Sequence, residues 1–69
     1  MSVKDELREV EEDIERLRSE VAELRRQVGD LGPSDAAERS MLINQADEEQ
    51  ALLLGLEARR EDLIKRLNE

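Results

Sequence analysis

The chain has 69 residues, of which 43% are charged, with 19 Asp plus Glu against 11 Lys plus Arg for a net charge of −8; Cys, His and all aromatic residues are absent. One domain at most fits this length, and its thin aliphatic core has no disulfide or imidazole ligand to reinforce it, which leaves oligomerisation as the remedy. So acidic a surface repels phosphate and offers no ring for a base to stack on, which argues against nucleic acid as a partner.

Ser2 is placed to cap a first helix, with Asp5 as the acidic member of a capping box. From there nine apolar residues stand in unbroken 4-3 spacing: Val3, Leu7, Val10, Ile14, Leu17, Val21, Leu24, Val28 and Leu31. A repeat averaging 3.5 residues keeps its stripe covered only by winding around another helix, so the pattern predicts a coiled-coil seam. The helix is expected over about residues 3–30, some 40 Å long at 1.5 Å per residue.

Two of the three glycines and the only proline fall between Val28 and Asp35, which predicts the chain's one turn at about 30–34. Gly29 or Gly32 could take the left-handed C′ position; Gly32 is preferred because Leu31 keeps the heptad phase, and Pro33 stops continuation by lacking an amide hydrogen. Ser34 or Asp35 then serves as N-cap of a second helix over about 35–68, with Asp35 and Glu38 spaced as a capping box. Lys65 and Arg66 in its last turns suit the negative end of the helix dipole.

Two long helices joined so tightly lie antiparallel. The expected fold is therefore all-α, an antiparallel helical hairpin of coiled-coil type forming a single domain over 1–69. The opposing arrangement, one continuous parallel coiled coil, would have to pass Gly32-Pro33 without a bend.

On the second helix Leu42, Ala46, Leu53, Leu56, Leu63 and Leu67 keep a seam, whereas Glu49 and Arg60 interrupt the same phase and Ile43 and Ile64 widen it. The intrachain seam is expected to comprise Leu7, Val10, Ile14, Leu17, Val21 and Leu24 against Leu53, Leu56 and Leu63. Around its middle, Leu52, Leu53, Leu54 and Leu56 spread over roughly 200° of circumference, more than one neighbouring helix covers. The surplus asks for a second molecule, giving a homodimer of hairpins in a four-helix bundle, with Ile43, Leu52, Leu54 and Gly55 as the candidate oligomer interface. Gly55 costs about 1 kcal/mol relative to Ala in a helix interior. Together with Ala51 and Ala58 it forms a strip of small side chains suited to close helix approach, or else a tolerated glycine on a solvated face.

Antiparallel pairing brings g opposite g, so Glu6 is expected to face Arg66 and Asp13 to face Arg59. On the e side Glu11 falls near Glu57 and Arg18 near Gln50. A rival arrangement, two copies of the first helix running parallel, would pair Asp13 with Arg18 and Glu20 with Arg25, and its β-branched a and leucine d positions suit that geometry. Of the polar residues at seam depth, Glu49 or Gln50 can fix register or mark a ligand groove, and Arg60 can bury its stem while its head stays in water.

Catalysis needs a nucleophile, a tuned acid or base, or a metal. Ser2, Ser19, Ser34 and Ser40 have no base beside them, and the carboxylates at i, i+3 on helix faces read as solvated. No catalytic residue, cofactor or metal ligand is assigned, and the chain is not expected to be an enzyme. No apolar run nears the roughly 18 residues that span a bilayer, and the opening residues lack the apolar stretch of a secretion signal, so a cytoplasmic chain without a membrane partner is expected.

Glu15, Ser19 and Asp30 are similar to three of five positions in the helix motif of coiled-coil anti-sigma regulators that bind cyclic di-GMP. Ala22 and Arg26 stand where that motif has Arg and Gln, and the missing arginine is the side chain suited to guanine edges and phosphate. The expected function is thus a non-enzymatic regulator, adaptor or assembly subunit acting through self-association and contact with a protein partner. The alternative is a ligand-sensing regulator holding a small molecule or nucleotide between helices near Ser19, Asp30 or the Asn44 to Gln50 segment.

Overall fold

The computed structural model describes residues 2–69, which form two helices, α1 (Val3–Asp30) and α2 (Ala36–Leu67), folded into an antiparallel hairpin measuring 54 × 16 × 14 Å. At the start of α1 the Ser2 hydroxyl accepts from Asp5 N–H at 3.1 Å, and the Asp5 carboxylate accepts from Ser2 N–H at 3.5 Å. This reciprocal pair satisfies amides that have no partner within the helix. No residue then interrupts α1 until it has passed Gly29.

The turn departs from the sequence expectation. No glycine has a positive φ, so Gly32 does not take the left-handed C′ position. Instead Leu31 turns extended (φ −76°, ψ 146°) while its N–H bonds Val28 C=O at 3.2 Å, which tightens the last turn of α1 and removes the need for a left-handed residue. Asp35 N–H then donates to Gly32 C=O at 3.2 Å, Gly32 N–H donates to Asp35 Oδ2 at 3.0 Å, and Arg39 Nη2 donates to Gly32 C=O at 3.1 Å. Asp35 is the N-cap of α2, but its carboxylate is engaged by Gly32 and makes no capping bond, so the Asp35–Glu38 capping box does not form.

The core runs along one line of each helix. Ile14, Leu17, Val21 and Leu24 of α1 and Ala46, Leu53 and Leu63 of α2 are buried; Leu7, Val10 and Leu56 are half-buried. Ile14, Leu17 and Leu53 form the central cluster, with Val10 and Leu56 packed against it. The 4-3 stripe of α1 is therefore covered by α2 of the same chain, not left for a parallel partner. Dispersion and burial at these aliphatic sites are worth about 1.5–3 kcal/mol per fully covered Leu or Ile side chain.

Four ion pairs cross between the helices: Arg59–Glu6 at 2.6 Å, Arg18–Glu57 at 2.9 Å, and Arg25–Asp47 and Arg60–Glu11, each at 3.3 Å. They differ from the heptad-lattice expectation. Glu6 pairs with Arg59, not Arg66, and Arg66 turns back to Asp62 on its own helix; Asp13 pairs with Arg16 within α1. Glu11 avoids Glu57 because Arg60, stationed on the seam, extends its half-buried side chain to it, which leaves Glu57 to Arg18. A guanidinium spans enough length to choose between neighbouring heptads, so position labels alone do not determine its partner.

Candidate functional site

Two surfaces combine unusual chemistry with accessibility, and the first is the outer side of α2. Among the described residues the exposed large hydrophobics are Met41, Leu52, Leu54 and Leu67, all on α2, with Leu52 at 62% and Leu54 at 59% exposure. At about 100° per residue, Leu52 and Leu54 project from opposite flanks of the helix, and Ala51, Gly55 and Ala58 lie between them on the side away from Leu53. These three small residues are exposed, and a Cβ built on Gly55 meets nothing within 4 Å. The hairpin alone does not require glycine there. Ile43, grouped with this surface from its sequence position, is half-buried and sits closer to the seam than Leu52, Leu54 and Gly55 do.

The second surface is a shallow groove between the helices, lined by Ser19, Glu20, Glu23 and Leu24 of α1 and Gln45 and Glu49 of α2. Here Glu49, the residue that breaks the α2 stripe, brings its carboxyl against that of Glu20. Its Oε2 is buried and receives no hydrogen bond from a donor. Sharing a proton with Glu20, burial and the Glu20 charge, in that order, push the Glu49 carboxyl above the ordinary carboxylate range. Glu23 behaves oppositely: hydrogen bonds from Arg26 and then Gln27 pull it down to about 2.

The residues of the partial regulator motif do not converge. Ser19 lines the groove, whereas Asp30 is bound to Arg26 at 2.9 Å near the end of α1 and does not line it. The heptad phase marks Glu49 but not its partner; setting Leu53 against Leu17 in antiparallel register is the signal that brings Glu49 to Glu20. Among the described residues no group of three acidic, His or Cys side chains could hold a metal ion, and no helix is long and apolar enough to cross a membrane.

The chain matches no family model, no curated protein and no solved structure. The α2 face offers apolar area and backbone access, which suits another helix. The groove offers three carboxylates and one hydroxyl, which repel phosphate and lack an activated nucleophile.

Proposed function

We propose that the chain works by contact and not by catalysis: a non-enzymatic coiled-coil hairpin that self-associates and offers a charged helical surface to a protein partner, as regulator, adaptor or assembly subunit of the cytoplasm. The observation that carries this reading is the exposure of Leu52 and Leu54 beside an otherwise well-covered seam. Burying a leucine is worth about 1.5–3 kcal/mol, so a chain whose own core is thin gains substantially by covering two of them. Sedimentation equilibrium on the full chain at micromolar concentration tests it. Twice the chain mass is expected, and a monomer throughout that range would remove the reading.

The alternative, a ligand-sensing regulator, draws on the groove that brings Ser19 beside Gln45 and Glu49. Its anionic lining favours a cation or a neutral molecule over a nucleotide. A thermal-shift screen with divalent cations, polyamines and nucleotides in which no ligand moved the melting temperature would eliminate it.

A further inference from the structure

We infer that the outer face of α2 docks antiparallel on the same face of a second copy, the two helices crossing at Gly55, so that a four-helix bundle forms with both α2 helices at its centre. This rests on the self-association just proposed and specifies its surface and direction. The face is uncharged where contact would be closest: Ala51, Gly55 and Ala58 form its floor and Leu52 and Leu54 its two walls. Small side chains on both helices let the backbones approach, and each leucine wall then covers the flank of the opposite floor. Glycine is the least favourable helix residue apart from proline. Since a side chain at position 55 would touch nothing within the hairpin, its absence serves a neighbour outside it.

Charge chooses the occupant and its direction. Before the uncharged stretch α2 carries Glu38, Arg39, Asp47, Glu48 and Glu49, four negative and one positive, for a net −3. Beyond it stand Arg59, Arg60, Lys65 and Arg66 against Glu57, Glu61 and Asp62, for a net +1. A parallel mate would set −3 against −3 and +1 against +1; an antiparallel mate sets each half against its opposite, and the helix dipoles oppose favourably as well. Glu48 and Lys65 are exposed, and neither takes part in the ion pairs of the hairpin. Crossing at Gly55 places Glu48 within about one helical turn of Lys65 of the mate along the shared axis. The outer side of α1 cannot compete, since the exposed large hydrophobics of the described residues all lie on α2.

The test uses the full chain with one spin label per copy, attached at Asn44→Cys, together with sedimentation and circular dichroism of Gly55→Leu. Antiparallel docking predicts a label separation of roughly 30 Å, from twice the 11 residues between positions 44 and 55 at 1.5 Å each. Gly55→Leu is expected to halve the sedimentation mass while the helical signal of the hairpin persists. A short label separation of roughly one interhelical distance, about 10 Å between axes, would mean parallel docking and overturn the inference. A dimer whose mass survives both Gly55→Leu and Leu54→Glu would overturn it too, by placing the contact elsewhere, yet would leave self-association standing. A wild-type monomer would remove both.

Discussion

Glu20 of α1 and Glu49 of α2 face each other across the hairpin, and Glu49 Oε2 is buried there without a donor. The pair makes stability depend on pH. In the unfolded chain Glu49 titrates as an ordinary carboxyl; in the hairpin its pKa is raised, so between the two values the folded form holds the extra proton. Stabilisation is therefore full below the unfolded value and is lost as pH rises through the folded one. The charged groups around the pair are Glu23, bound by Arg26, and Arg16, whose Nε lies 4.0 Å from Glu20. Thermal melts should show the melting temperature climbing as pH falls through the raised Glu49 value toward that of an ordinary carboxyl. In Glu49→Gln the melting temperature at pH 7 should rise and this climb should flatten; an unchanged slope would dismiss the pair as its origin.

Below that range Glu23 takes over with the opposite sign. Arg26, then Gln27, hold its pKa at about 2, so its contribution is present above the ordinary carboxylate value and fades as pH falls toward 2. The stability profile should therefore pass through a maximum at mildly acidic pH. Arg26→Gln should soften the acid limb alone, as read by circular dichroism between pH 5 and 2.

Leu53 is 5% exposed and touches the cluster formed with Ile14 and Leu17. Leu53→Ala should lose about 2–5 kcal/mol in urea unfolding, from transfer and cavity together. A loss under about 1 kcal/mol would show that the site collapses freely or that the cluster is not the core.

For the interhelical charges, Glu6→Arg and Arg59→Glu should each cost under about 1 kcal/mol, and the double reversal should recover most of it, since both partners are partly exposed. Arg66→Glu should show no such coupling to Glu6, because Arg66 is held by Asp62 at 3.0 Å. Coupling to Arg66 in place of Arg59 would mean the opposite charge register.

In the turn, Asp35→Ala removes the acceptor of Gly32 N–H and should cost about 1 kcal/mol, whereas exposed Glu38→Ala should cost less than about 0.5. Equal losses would restore the capping box that the geometry lacks.

The hairpin was legible because each of its determinants is local. Ser2 and Asp5 are three residues apart, the α1 stripe repeats without a fault, and Gly32-Pro33 admits no continuous helix. What escaped depends on atoms that meet only after folding. Asp35 has two amides within reach, its own helix's and Gly32's, and the extended Leu31 decides between them. Arg60 can dwell on the seam or reach Glu11, and only the true register sets that distance. Glu49 could be seen to break a stripe, but its opposite number, Glu20, reads by itself as one more solvated carboxylate on a charged face.

The central cluster sits far from the bend. Leu17 and Leu53 are 36 positions apart in the chain, while the segment of α2 nearer the turn fully buries only the small Ala46, with Leu42 and Ile43 half-buried, and carries the Glu20–Glu49 pair. Closing the turn first thus gains less, because Val21 and Leu24 find only small or half-covered partners on α2 there. Folding should instead wait for a long-range collision that brings Leu17 to Leu53, a closure whose entropic cost grows only with the logarithm of the loop it makes. The order of events is then middle first and ends afterwards, so mutations at Ile14, Leu17 and Leu53 should slow refolding, while changes at Gly32 or Asp35 should mainly quicken unfolding.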